Sequence, residues 1–282
     1  MDYGISTHLY HDRRLGSDHL REIAAHGFRR VELFATRTHF DYHAHAAIAG
    51  IGEALAVNGL TLHSMHAPIV EGYVDGRWGP AISLAAADPA RRELAVRETQ
   101  AVIALARELP YEFLVVHMGV TGDLLAIEGA NSENGVRESL ERIAERAEKA
   151  GVRLAIEVIP NDLSRAGAIV ELVEDELELP QAGICLDFGH AELLGDLVDA
   201  VEEASGLIVT THVHDNRGTD DDHLVPFEGT IDWAAALTAM QKVGYEGTLM
   251  FEIANYESPG ALLARAVNAR RRSEQILGGG FE

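Results

Sequence analysis

The sequence predicts an α/β fold in which eight parallel strands close into a (β/α)8 barrel, one domain over residues 1–282. Three observations carry this. Short apolar or β-branched runs alternate strictly with longer helical patterns, eight of each. Several runs, such as Phe113-Leu114-Val115-Val116, are apolar at every position, as parallel strands covered on both faces require. No GxGxxG or Walker-type loop follows any run, which disfavours an open nucleotide-binding sheet.

In chain order, strands are expected at 3–6, 30–34, 61–65, 113–117, 153–158, 182–187, 208–214 and 248–253. Helices are expected near 17–26, 42–58, 88–107, 131–149, 163–174, 191–204, 231–243 and 257–277. Ser17 and Ser132, each followed by an acid, read as N-terminal caps. Gly27, Gly59, Gly151 and Gly244 each end a helical segment before the next strand. Residues 278–282 read as a loose tail.

Composition narrows the function. There is no low-complexity linker, and 47% hydrophobic residues suit a chain with a large core. No run approaches the ~18 apolar residues of a membrane span. The N-terminus lacks a signal-peptide layout. A single cysteine, Cys185, excludes internal disulfides and fits a reducing compartment, so a cytoplasmic location is expected. The net charge of −22, from 45 acids against 23 bases, repels phosphate backbones, so nucleic acid is not an expected partner.

The stretch from Ile208 to Trp233 carries the chemistry. A β-branched run leads into His212, His214 and Asp215, and the loop beyond adds Asp221 and His223. In a (β/α)8 barrel the strand C-termini carry the site. Here the strands end near His8, Glu32, His66, His117, Glu157, Asp187 with His190, His214 and Glu252. A carboxylate within an apolar strand is costly unless paired or metal-bound. Glu157, Asp187 and Glu252 converging on one rim would repel one another without a cation between them. The pattern therefore predicts a divalent-metal centre. His212 is expected deeper, as a supporting or core residue outside the ligand set, and Cys185 is expected to pack in the interior without chemistry.

These residues resemble a family. AIEVIP around Glu157, CLDFGH around Asp187 and His190, HVHDN around His214, DDDHL around His223 and LMFEI around Glu252 are similar to the xylose-isomerase-like TIM barrels. That superfamily holds sugar and sugar-phosphate isomerases and epimerases, inosose dehydratases and endonuclease IV. The epimerase branch implies one Mn²⁺, Co²⁺ or Mg²⁺ on Glu157, Asp187, His214 and Glu252. Glu157 and Glu252 would also be the catalytic acid/base pair, moving a proton through a metal-bound enediolate, and His190 would contact substrate oxygens. Endonuclease IV implies a second mapping with up to three Zn²⁺. There His66, His117 and Glu157 hold one, Glu157, Asp187, His214 and Glu252 a second, and His190, Asp221 and His223 a third.

The resemblance thus implies a metal-dependent isomerase or epimerase acting on a small carbohydrate, a sugar, sugar phosphate or polyol. The alternatives are a multi-zinc phosphoesterase of the endonuclease IV kind and an inosose-dehydratase-like lyase. Relatives often pair through the barrel rim, which leaves room for a homo-oligomer. One departure is plain. The arginine that the epimerase branch carries six residues after the position of His214 is Asp220 here, and Arg217 lies out of register. His8, Glu32, Trp78 and Arg217 are the remaining candidate substrate contacts. Tyr73 and Trp78, in the long loop after the third strand, read equally as a lid or as packing on the rim.

Overall fold

Alternation of side chains along eight parallel strands decides where everything else in the molecule sits. The computed structural model describes residues 1–122 and 127–278. The barrel strands are β1 (Asp2–Ser6), β2 (Arg30–Phe34), β3 (Thr61–His66), β4 (Phe113–Val116), β5 (Arg153–Glu157), β6 (Ala182–Asp187), β7 (Ile208–Val213) and β8 (Thr248–Phe251). Each pairs in parallel with its neighbours in sequence, and β1 closes on β8 through pairs such as Ile5 with Phe251. The fold is the expected single-domain α/β TIM barrel.

The helices around it are α1 (Ser17–Ala25), α2 (His45–Asn58), α3 (Pro89–Ala104), α4 (Glu133–Ala150), α5 (Ala166–Val170), α6 (Phe188–Leu194), α7 (Leu197–Glu203), α8 (Trp233–Lys242) and α9 (Pro259–Gly278). Ser132 caps α4, its hydroxyl accepting from Gly135 N at 3.2 Å. Gly59 and Gly151 end α2 and α4 in the left-handed conformation.

Three details differ from expectation. Gly16 holds the N-cap position of α1, and Ser17 is the first helical residue. The helix expected over 191–204 breaks at Gly195, whose φ of 141° no other residue type adopts readily. Asp196 then starts α7 by accepting from Val198 N and Asp199 N. The helix expected over 163–174 is a 3₁₀ turn at Asp162–Ser164, then α5, then a π-helical turn over Glu171–Glu176. The tail at 279–282 lies outside the described residues.

Period-two alternation sends one side of each strand to the helices and the other into the barrel. Leu114, Val116, Leu154, Ile156, Ile184 and Leu186 join the large cluster under the helices. Phe113, Val115, Ala155 and Cys185 form a separate apolar layer inside the barrel. One strand step further along, the inward positions are polar. Glu157 follows Ala155, and Asp187 follows Cys185. The site therefore stands on a packed floor at the C-terminal mouth. A short antiparallel hairpin, Tyr73–Val74 with Arg77–Trp78, rises beside that mouth. Among the described residues no helix is long and apolar enough to cross a membrane.

Candidate metal centre

Each side chain at the mouth is placed by a strand end. Glu157 and Asp187 are the last residues of β5 and β6, and Glu252 is the first after β8. His212 is the next-to-last residue of β7 and pairs in register with Asp187. All four are buried, and one donor atom from each lies within 4.8 Å of the others.

Glu157 is shared between two groups. Its Oε2 is 3.1 Å from His66 Nε2 and 2.9 Å from His117 Nε2, while Oε1 is 3.1 Å from His212 Nδ1. His66, His117 and Glu157 form a second set of converging donors. A third set is His190, His214, Asp221 and His223. There His190 Nε2 and His223 Nε2 lie 3.0 and 3.2 Å from Asp221 Oδ2, and His214 Nε2 lies 3.1 Å from Asp187 Oδ2. Asp187 also caps α6, its Oδ1 accepting from His190 N at 2.7 Å. Gly189 allows this approach: a Cβ on it would fall 2.1 Å from His214 Cε1.

The loop bearing Asp221 and His223 is held by Asp215. Its Oδ1 accepts from Asn216 N and Ile231 N, and its Oδ2 accepts from Trp233 Nε1 at 2.8 Å. Asp215 and Leu224 exchange two backbone hydrogen bonds across the base of that loop.

Burial would raise the Glu157 and Asp187 carboxyls. Neighbouring imidazoles override it, His212 and His117 at Glu157, His190 and His214 at Asp187, and both acids are held below their ordinary values. Burial would likewise lower His190 and His212, yet their neighbours, Asp187 first for His190 and Cys185 ahead of Glu252, Glu32 and Glu157 for His212, hold both well above their ordinary values. At the mouth, His8 Nδ1, His214 Nδ1 and Glu252 Oε1 are buried with no hydrogen-bond partner among the described residues. Three carboxylates and an imidazole, with one carboxylate oxygen unsatisfied, are a donor set that suits Mn²⁺, Mg²⁺, Co²⁺ or Zn²⁺. The residues fit such an ion.

The structure regroups the sequence-predicted residues. His212, not His214, stands with Glu157, Asp187 and Glu252. His212 is expected deeper than the ligands, but it lies level with them, in register with Asp187. The signal was available: counting inward positions along parallel strands sets His212 beside Asp187, whereas His214 is past the end of β7. Glu32 does not face the mouth. It is fully buried, with both carboxylate oxygens 3.1 Å from His212 Nε2, so it is not placed to meet substrate. Arg217 is tied to Asp222 by its guanidinium and its backbone N–H, away from the cluster.

His8 stays at the mouth, its ring 4.9 Å from His223 and 4.5 Å from His11, and Trp78 stacks on His11 at 4.8 Å. Tyr73 meets Trp78 edge-on. His63 is at the other end of the barrel, its Nε2 3.2 Å from Thr210 Oγ1.

Comparison with known proteins identifies the family of this barrel. The family model described as xylose isomerase-like TIM barrel matches residues 20–273. The chain belongs to this family. Among curated members it is 28% identical over 262 residues to the uncharacterized protein MJ1311 of Methanocaldococcus jannaschii, covering 90% of this chain and 84% of that one. It is 27% identical over 127 residues to inosose isomerase of Bacillus subtilis, covering 40% of this chain and 44% of that one. A solved D-tagatose 3-epimerase-like protein superposes with a TM-score of 0.80 at 24% identity, covering 99% of this chain and 98% of the other. The IOLI protein, solved with a bound zinc atom, superposes over the full length of both chains with a TM-score of 0.76 at 17% identity. At these identities the structural matches establish the family fold.

Proposed function

We propose that this protein is a divalent-metal-dependent isomerase or epimerase of a small sugar or polyol. One observation carries the reading: Glu157, Asp187, His212 and Glu252 converge within 4.8 Å in a buried cluster at the barrel mouth. These four would hold the ion, with His212 taking the place first given to His214. The ion, when bound, supplies Lewis-acid chemistry to a carbonyl and its neighbouring hydroxyl.

The protein's own groups do the rest. Glu157 and Glu252 would take a proton from the carbon next to the carbonyl and return one. Return to the neighbouring carbon gives an isomer, and return to the opposite face an epimer. His190, held by Val158 O and Asp221, presents an imidazole at the same rim and orients substrate oxygens. His8 and Trp78 wall the approach. The structural relatives described as sugar epimerases and the curated inosose isomerase support this chemistry, as does the zinc of the IOLI structure. The acidic, single-cysteine chain suits a cytoplasmic enzyme.

The test is solvent exchange. A panel of free and phosphorylated ketoses and a keto-inositol is incubated with Mn²⁺-loaded protein in D₂O. Deuterium should enter the carbon next to the carbonyl and a new isomer should form, and both should disappear in Glu157→Gln, which keeps the side-chain shape. Unchanged turnover in that variant on a confirmed substrate would sink the assignment.

A second reading has its own observation. His66, His117 and Glu157 form one donor set, and His190, His214, Asp221 and His223 form another, flanking the central one. Such neighbouring donor sets suit a multi-zinc phosphoesterase, in which metals activate water and neutralise a phosphoryl group. Metal analysis separates the readings: one ion per chain supports the isomerase, and three zincs the hydrolase. A dehydrating lyase would share the enolate chemistry and would appear in the same panel as loss of water from the keto-inositol.

A further inference from the structure

The barrel holds a fourth buried carboxylate that the proton transfer does not use. Glu32, on β2, is fully shielded from solvent. Its Oε2 accepts from Ser64 Oγ at 2.8 Å, and both of its oxygens lie 3.1 Å from His212 Nε2. The contact with Ser64 is built into the sheet, because a register shift between Val31 and Glu32 makes Glu32 and Ser64 direct neighbours on β2 and β3.

The other face of the same ring looks the opposite way. His212 Nδ1 is 3.1 Å from Glu157 Oε1, 3.4 Å from Glu252 Oε2 and 3.9 Å from Asp187 Oδ2. A carboxylate can only accept, so against Glu32 the ring must keep its hydrogen on Nε2. With a cation among the three carboxylates, the ring would be neutral and its lone pair would sit on Nδ1, aimed at that cation. The other tautomer would set its Nε2 lone pair against the buried Glu32 oxygens and turn its N–H toward the cation.

We infer that Glu32 is the positioning residue of the metal centre: held by Ser64, it fixes His212 as an Nδ1 donor and strengthens that donor by accepting its Nε2–H. A carboxylate behind a ligating imidazole typically contributes about 10–100-fold in metal affinity. This inference rests on the cation-binding part of the function proposed above. It replaces the earlier expectation that Glu32 selects substrate, since no face of this side chain reaches the mouth.

The test is a Mn²⁺ and Zn²⁺ titration of the full-length protein by calorimetry, with no substrate. Glu32→Gln keeps an oxygen that can accept from Nε2–H but loses the charge, and should bind about 10-fold or more weakly. Glu32→Asp, a carboxylate drawn back by one methylene, should recover part of that loss. Ser64→Ala, with the carboxylate intact but unanchored, should lose less than Glu32→Gln. In ¹⁵N-labelled, Zn²⁺-loaded wild type, His212 should show a protonated Nε2 and a metal-shifted Nδ1, a signature that a merely space-filling role for Glu32 would not produce.

Wild-type affinity in Glu32→Gln, or a His212 bound through Nε2, would overturn the inference while leaving the cation site standing. Failure of the wild-type protein to bind either ion would overturn the cation reading itself and this inference with it. Should Glu32→Gln fail to fold, Ser64→Ala and the wild-type ¹⁵N spectrum decide: unchanged affinity together with Nε2 coordination refutes it.

Discussion

Asp215 offers the sharpest test of how the site is held. Its buried carboxylate accepts from Trp233 Nε1 at 2.8 Å through one oxygen and from Ile231 N at 3.2 Å through the other. Trp233 and Ile231 are themselves buried, so neither donor has water to turn to. Asp215→Ala should orphan these two donors and also Asn216 N, which bonds Oδ1 at 2.9 Å, at about 1–3 kcal/mol each, or roughly 3–9 kcal/mol in all. That is a large part of the ~5–15 kcal/mol that holds a typical domain together. Asp215→Asn is the cleaner change. The amide oxygen can keep Asn216 N and Ile231 N, so Trp233 Nε1 must face the NH₂ group, and a loss of about 1–3 kcal/mol is expected. Trp233→Phe removes the indole N–H. It should therefore be costly in the wild type, where it strands a carboxylate oxygen, and nearly free of that cost in Asp215→Asn. Urea unfolding of the four proteins, compared as a double-mutant cycle, reads this coupling directly. It also cancels the packing that Trp233 loses against Phe188 and Phe227. An additive cycle, or an Asp215→Asn protein within ~0.5 kcal/mol of wild type, would refute the argument.

Two further outcomes follow from the same geometry. His212→Gln should weaken Mn²⁺ binding by more than the ~10–100-fold expected of a residue behind a ligand, whereas His214→Gln should leave the tightest site in place, and calorimetry that reversed this order would return His214 to the central set. His39 is fully buried, with its Nδ1 2.8 Å from Arg13 O, and burial lowers it from 6.5 to about 4. A histidine with a depressed folded value stays neutral while the unfolded chain takes up a proton, so its contribution is complete above pH 6.5 and is lost as pH falls from 6.5 through about 4. The loss is at most roughly 3 kcal/mol, and the melting temperature of wild type should fall more steeply over that window than that of His39→Gln; parallel curves would count against it.

The barrel was legible because its pattern repeats. Each βα unit puts an apolar run, a polar residue at its C-terminal end and a helix in the same order, and strand positions agreed to within a residue or two. The helix over 191–204 was less legible. Leu194 and Leu197 both continue an apolar stripe, and only Gly195, in a backbone conformation that a sequence does not display, breaks it. The polar ring at the mouth was also legible, since burying Glu157, Asp187 and Glu252 on one rim demands counter-charge wherever the loops go.

The regrouping of His212 and Glu32 marks the limit of reading strands singly. Along β7 alone, His214 is nearer the loop and looks like the exposed donor. The choice is made by neighbours. Asp187 in register on β6 sets the height of the cluster, and Glu32, brought level with Ser64 by a register shift in β2, occupies the back of the ring. An imidazole with a carboxylate behind it and carboxylates in front of it is directed to one nitrogen. His214 has no such backing, for its Nδ1 is buried without a partner. Its Nε2 is committed to Asp187 at the end of β6, and its ring stacks 3.9 Å from that of His223 in the loop. The two histidines of one strand thus differ in kind because one has a carboxylate of the sheet behind its ring and the other has a loop histidine stacked on it, and a difference of that sort exists only once the strands are laid side by side.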